Sequence, residues 1–335
     1  MGKAQLIIDT RGASLSKHNG LFEVKLKSQV TQTFHPDKLR SICLAEGVAV
    51  TTDALLLALD NDVEIIITDH RGNPQGRLWN NRFGSIATIR KKQYQFAQSK
   101  VAVYWVASMI GKKITNQLNF MYQLRYGVPQ EAHQTTKIDE LLAQAQQHQS
   151  KWQGIAATIA ENPQWKDILR GVEGTMAKFY FQTLAIALPP SYYFEERSRP
   201  AQDRFNALLN YLYGILYARV EAALVKAGID ASIGVFHADE YNKPVFTYDF
   251  IEPYRIWAEE VAFRLCLQQI PRHCFDYTKE GCWLNTAGKK ALVPAFETAW
   301  QEVIPYKNRT RSRQTHLQLD AHEFAQYLLS LSESL

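Results

Sequence analysis

The feature that most limits what this chain can fold into is a change of hydrophobic period between residues 82 and 89. Before it, apolar residues come in short β-rich runs at 5–9 (QLIID), 20–26 (GLFEVKL), 39–44 (LRSICL) and 63–68 (VEIIIT). Gly12, Asn19-Gly20 and Gly72-Asn73-Pro74 supply turns between them. One short helix is predicted at 51–60, where Thr51, Thr52 or Asp53 can cap the stretch ALLLAL. After the change the apolar residues recur at helical spacing. Helices are predicted over 89–125, 137–160, 164–187, 201–227, 246–270, 288–303 and 320–332, punctuated by Gly127-Val128-Pro129, Pro189-Pro190 and Gly228. The fold class is therefore α+β. A small β-rich domain at 1–82 serves packing or dimerisation, a linker follows at 83–88 within NNRFGSIAT, and a larger all-α domain fills 89–335.

A chain of 335 residues that is 46% hydrophobic can bury a core in each of two domains, which excludes a disordered or low-complexity protein. The start MGKAQLIIDTRG lacks a secretory pattern, and no apolar run approaches the ~18 residues of a membrane span. Cys43, Cys266, Cys274 and Cys282 are scattered with no zinc-ligand spacing, so they read as reduced thiols of a cytoplasmic protein. The net charge of +5 is a mild bias, but its distribution is uneven. Lys307, Arg309, Arg311 and Arg313 place four cations in seven residues, and smaller clusters stand at Arg90-Lys91-Lys92, Lys112-Lys113 and Lys289-Lys290. Each cluster alone can be a solvated face; four of them after residue 85 suit a surface that follows phosphates.

Three places in the helical half put polar groups where apolar ones belong. On a helix, Glu173 shares a face with Leu169, Met176, Ala177 and Tyr180, so its carboxylate either stands at the rim or needs a proton, a salt bridge or a metal. His237 follows an apolar run in ASIGVFHADEYNKP, either as a structural histidine or as a ligand. Asp249 and Glu252 are spaced i,i+3, and Pro253 cannot donate to the carbonyl of Asp249. A helix therefore starts or opens beside these two acids, which serve either its dipole or a metal. Two or three carboxylates and an imidazole suit Mg²⁺ or Mn²⁺, with histidine favouring Mn²⁺. Beside a basic surface, such an ion is what phosphodiester chemistry requires.

Four blocks in order carry a resemblance: Glu-Gly-x-x-Ala-x-x-Tyr from Glu173, Arg-Pro-x-x-Asp-x-x-Asn-x-Leu-Leu at 199–209, Gly-Val-Phe-His at 234–237 and Asp-Phe-Ile-Glu-Pro-Tyr-Arg at 249–255. Together they resemble the universal CRISPR-associated adaptation nuclease over essentially the whole chain. The resemblance implies a homodimer built by the β-domain and one metal site held by Glu173, His237 and Glu252. It makes Asp249 a supporting residue or a further ligand. Asp203 and Asn206 would lie next to the site, orienting a ligand or bonding the backbone, or else capping a helix after Pro200. The implied reaction joins the 3′-hydroxyl of a captured DNA fragment to a phosphodiester at the edge of a CRISPR repeat. Arg90, Lys91, Lys92, Lys289, Lys290, Arg309, Arg311 and Arg313 become candidate DNA contacts. The implied partner is a small ferredoxin-like companion subunit in a hetero-hexamer. Phe236 replaces the leucine frequent in the family, and the Gln-rich stretch 141–153 reads as a variable surface helix. Two rivals remain: a nuclease that cuts branched DNA with the same site, and a DNA-binding scaffold in which the acids are structural.

Overall fold

Each of two units, Met1–Gly84 and Ser85–Leu335, closes its own hydrophobic core. The computed structural model describes residues 4–26, 31–69, 74–78, 86–238, 241 and 243–332. The first unit contains strands β1 (Ala4–Ile8), β2 (Ser14–His18), β3 (Leu21–Lys25), β4 (Thr31–Phe34), β5 (Leu39–Ala45) and β6 (Ala49–Val50), then helix α1 (Thr52–Asp60) and strands β7 (Glu64–Thr68) and β8 (Pro74–Leu78). One sheet has the order β1-β5-β7-β8, with only β8 antiparallel to its neighbour; the other has the order β4-β3-β2-β6. Asn19 and Gly20 both take positive φ, 48° and 76°, the conformation that a two-residue hairpin between β2 and β3 requires. Leu15, Phe22, Ile42 and Ile65 are fully buried, and Ala54 and Ala58 of α1 pack on them. The hydroxyl of Thr51 caps α1 by accepting from the Ala54 N–H. Strands β2 and β4, SLSKH and TQTF, have no apolar alternation for a sequence reading to find. The turn expected at Gly72-Asn73 and residues 83–85 of the expected linker lie outside the described residues.

The second unit is mostly helical. Its long helices are α2 (Ile86–Ala97), α3 (Lys100–Gly127), α4 (Ala132–Ala156), α5 (Trp165–Ala187) and α6 (Arg204–Lys226). They are followed by α7 (Val245–Phe250) and α8 (Arg255–Leu267). The central α3 packs on α4, α5 and α8, and α6 packs on α8. The single helix expected over 89–125 is broken at Gln98-Ser99, where the Ser99 hydroxyl caps α3. The Gln-rich stretch is no mere surface helix: Leu141, Leu142, Ala145 and Trp152 of α4 are buried in the core.

Helical spacing does not persist to the C-terminus as expected. A hairpin β9 (Phe275–Thr278) and β10 (Gly281–Leu284) precedes α9 (Thr286–Gln301). A second hairpin, β11 (Val303–Tyr306) and β12 (Arg309–Ser312), leads into α10 (Arg313–Ser330). Its turn residues Lys307 and Asn308 both take positive φ without a glycine to announce the turn. Arg313 opens α10 pointing inwards, only 5% exposed. It donates to the Ala299 carbonyl at 2.9 Å and pairs with Glu260 at 2.8 Å and Glu302 at 2.5 Å. Arg313→Ala is expected to destabilise this unit by about 2 kcal/mol, because Glu260 and Glu302 keep only the longer contacts to Arg264 and the Ala299 carbonyl loses its donor. A denaturant titration reads this, and a midpoint equal to wild type contradicts it.

Candidate active site

Three separate stretches of chain meet at one buried lysine. Glu173 extends from the middle of α5, beside Leu169, Met176 and Tyr180, which are fully buried. Its side chain stays 26% exposed, so it stands at the lip of the site. Lys113, on the inward face of α3, places Nζ 2.5 Å from Glu173 Oε1 and 2.6 Å from Glu252 Oε2. Glu252, 3% exposed, forms the floor. It opens a single 3₁₀ turn, Glu252–Tyr254, between α7 and α8. Pro253, having no N–H, ends the α-helical pattern here, and the turn closes with Tyr254 N–H donating to the Ile251 carbonyl at 2.8 Å. Asn116, one turn after Lys113, donates to the Pro253 carbonyl at 2.8 Å and holds the turn against α3.

Arg255 completes the floor. It bonds the second oxygen of Glu252 at 2.9 Å and the Tyr217 hydroxyl of α6 at 2.8 Å, and its guanidinium lies over the rings of Tyr213 and Tyr217. Burial alone would push the Glu252 carboxyl up, but Arg255 and then Lys113 outweigh it, so its pKa falls to about 2. Burial pulls the Lys113 ammonium down, and Glu252 and Glu173 reverse that into a net rise. Burial likewise opposes the charge of Arg255, yet Glu252 and the tyrosines raise its pKa well above the ordinary value.

His237 and Asp249 form a second set. One Asp249 oxygen accepts from the backbone N–H of Val235 and Phe236 at 2.6 and 3.1 Å, the other from His237 N–H at 3.1 Å. The latter oxygen also lies 2.7 Å from His237 Nδ1. An oxygen surrounded by donors acts as the acceptor, which assigns a proton to Nδ1, so that in the neutral ring the lone pair is on Nε2. The loop bends tightly to do this: a Cβ on Gly234 would stand 2.8 Å from the His237 carbonyl oxygen. The His237 side chain is 38% exposed. Its ring packs edge-on against Tyr248, which packs edge-on against Tyr217, joining this set to Arg255 and Glu252.

The residues fit a hard divalent cation in their chemistry. Two carboxylates from different helices already converge on a cation, and an imidazole whose Nδ1–H is held by a carboxylate is the usual form of a histidine ligand. Among the described residues, no group of three or more His, Cys, Asp or Glu side chains is arranged to hold an ion as it stands. Asp249 and Glu252, expected on one helical side, belong to different hydrogen-bond sets. Asp203 caps α6 through the Asn206 N–H at 2.7 Å, and Asn206, fully buried, bonds the Glu196 carbonyl and Arg197.

The basic residues divide. Arg90, Lys91, Lys290, Arg309 and Arg311 are exposed and Lys289 is partly so, its Nζ over the Tyr211 ring. Lys92 donates to the Leu331 carbonyl at 2.6 Å, Arg309 pairs with Glu323, and Arg313 is interior. Lys113 is the residue that sequence reasoning passed over: beside Lys112 it read as one of a solvated pair. The signal was present, because Met109, Ile110, Ile114 and Met121 make it a core position of α3.

Comparisons with known proteins agree with this architecture. The family model described as CRISPR associated protein Cas1 matches residues 6–298. A CRISPR-associated endonuclease Cas1 of Archaeoglobus fulgidus is 26% identical over 97% of this chain and 96% of its own. A casposase solved bound to an integration product aligns with a TM-score of 0.73 at 21% identity, covering 100% of this chain and 92% of that one. A chain of a Cas6-RT-Cas1–Cas2 complex aligns with a TM-score of 0.74 at 20% identity, covering 99% of this chain and 35% of that one. At these identities the two structural likenesses speak for the fold.

Proposed function

Because the chain belongs to the Cas1 family of CRISPR-associated proteins, we propose that it is a metal-dependent DNA integrase and endonuclease that inserts captured fragments into a CRISPR array. The observation that carries the reading is the meeting of Glu173 and Glu252, from separate helices, on one cation in a chain of this family. Glu173, His237 and Glu252 would hold Mg²⁺ or Mn²⁺, and Asp249 acts through His237. When bound, the ion supplies positive charge to the scissile phosphate and favours the ionised form of the attacking hydroxyl.

The protein's own groups do the remaining work. Arg255 keeps Glu252 anionic and fixes its carboxylate plane. Asp249 fixes the histidine tautomer and the loop that carries it. In the reaction the 3′-oxygen of the captured fragment forms a new bond to phosphorus while the repeat's own P–O3′ bond breaks. A 3′-hydroxyl leaves the repeat and the number of phosphodiesters is unchanged. The same site attacked by water, or run backwards on a branch, gives cleavage.

Arg90, Lys91, Lys289, Lys290, Arg309 and Arg311 are the side chains suited to hold DNA phosphates, so binding weakens as salt rises. Exposed Ile7, Leu56 and Ile67 on the first unit support a homodimer. The companion is a Cas2-like ferredoxin-like subunit, the whole forming a hetero-hexamer in the cytoplasm; no helix of the described residues is long and apolar enough to cross a membrane.

The test is strand transfer of a labelled short duplex into a supercoiled repeat plasmid with Mn²⁺ or Mg²⁺, with and without the companion. Joining at the repeat edge is expected, with a loss of at least about a thousandfold in Glu173→Ala, as for a group acting on the reacting charge. Cutting of branched DNA without joining would leave the nuclease rival. DNA binding with neither activity would leave a scaffold.

A further inference from the structure

Lys113 is a lysine in an unusual place. It is 7% exposed, it arises from a core position of the central helix, and its ammonium lies within 2.6 Å of an oxygen of each glutamate. The glutamates are 60 and 139 residues away in sequence, on α5 and on the turn before α8. Two carboxylates brought this close repel each other, and the more buried of them has no water to screen it. Arg255 compensates Glu252 from the other side, at Oε1. Glu173 and the Oε2 side of Glu252 are therefore held together by the lysine.

Resting on the reading of Glu173 and Glu252 as metal ligands, we propose that Lys113 is a built-in cation that keeps the two carboxylates converged in the ion-free protein and competes with a divalent cation for them. An ammonium donates hydrogen bonds at 2.5–2.6 Å here, whereas Mg²⁺ or Mn²⁺ takes the oxygen lone pairs themselves. The point at which the two carboxylates converge cannot hold both cations, which also repel each other. Entry of the ion therefore releases the lysine from at least one carboxylate, and its flexible four-carbon stem allows it to move. The arrangement keeps the site assembled without metal, at the expense of metal affinity. Lys113 is thus a positioning residue, acting through Glu173 and Glu252.

Two measurements on the full chain test this. The first compares wild type, Lys113→Met, Lys113→Arg and Glu173→Gln by Mn²⁺ titration calorimetry and by thermal melting in chelator. Lys113→Met is expected to bind Mn²⁺ about tenfold more tightly, since a competing unit charge beside the ligands is gone. It is also expected to melt several degrees lower in chelator and to gain more from Mn²⁺ than wild type does. Lys113→Arg restores the chelator midpoint. The second needs no variant and stands if Lys113→Met fails to fold. Lys113 in the wild type is expected to be reductively methylated several-fold faster with saturating Mn²⁺ than with chelator, read by peptide mass spectrometry. Wild-type Mn²⁺ binding that needs Glu173, together with unchanged or weaker binding by Lys113→Met or an unchanged methylation rate, overturns the role of Lys113 and leaves the metal site standing. Mn²⁺ binding absent from wild type and Lys113→Met alike removes the metal site, and this role with it.

Discussion

Glu252→Ala is expected to lower the melting temperature of the helical unit by about 10 °C and, on the proposed function, to abolish the joining of DNA. The stability loss follows from what the substitution strands. Lys113 is buried and Arg255 half-buried, and each is bonded to a different Glu252 oxygen, at 2.6 and 2.9 Å. Removing one member of a buried charged set costs about 3–5 kcal/mol, because the partners keep their desolvation penalty without their attraction. The depressed pKa of the carboxyl points the same way. Its pKa of about 2, against an ordinary 4.5, corresponds to about 3 kcal/mol. The sign is that of a depressed carboxylate: this stabilisation is complete above pH 4.5 and is lost as the pH falls towards 2. Wild type and variant should therefore converge in stability as the pH falls from 4.5 towards 2, and differ by a constant amount above it. Parallel melting curves across that range count against the ion-pair account, whatever happens to activity.

For Asp249→Asn the expected damage is of a different kind. The carboxylate accepts from two backbone donors on one oxygen, and from a backbone donor and an imidazole on the other. An asparagine has one accepting oxygen, so whichever way it turns, an NH₂ faces one of those pairs. The expected cost is about 2–4 kcal/mol, with the segment 235–237 loosened. Joining should fall roughly 10- to 100-fold and Mn²⁺ affinity similarly, the scale usual for a partner that orients a histidine ligand. Wild-type metal affinity and rate in this variant would falsify the positioning role and return Asp249 to a structural one.

How much of this the sequence revealed depends on range. The period change separated a β-rich half from a helical one because each signal is local: short apolar, β-rich runs at β5 and β7, and apolar stripes on α5 and α6. The second C-terminal hairpin escaped because Lys307-Asn308 turns without a glycine and β12 reads RTRS, a run of polar residues. Glu173 announced itself by displacing an apolar residue from a stripe, and Pro253 announced the interrupted helix beside Glu252. Lys113 did not, since only tertiary packing shows which of two adjacent lysines faces inwards. Arg313 misled for the same reason: four cations in a row read as one surface, yet the fourth follows a cap and turns under the helix.

Every group of the candidate site, from Lys113 to Arg255, is rooted in the core of the second unit, while the first unit closes a core of its own. Seen as material for evolution, the second unit is a cassette. Exchange of the β-sheet unit, a loop lengthened within it, or another enzyme joined to its first strand leaves the spacing of the acids and the histidine untouched. A single residue added to α3 or α5 does not, for it turns one wall of the site by about 100° while the others stay. Sequences of this kind should vary freely in the length of their β-unit and hold the helices around Lys113 and Glu173 to a fixed count.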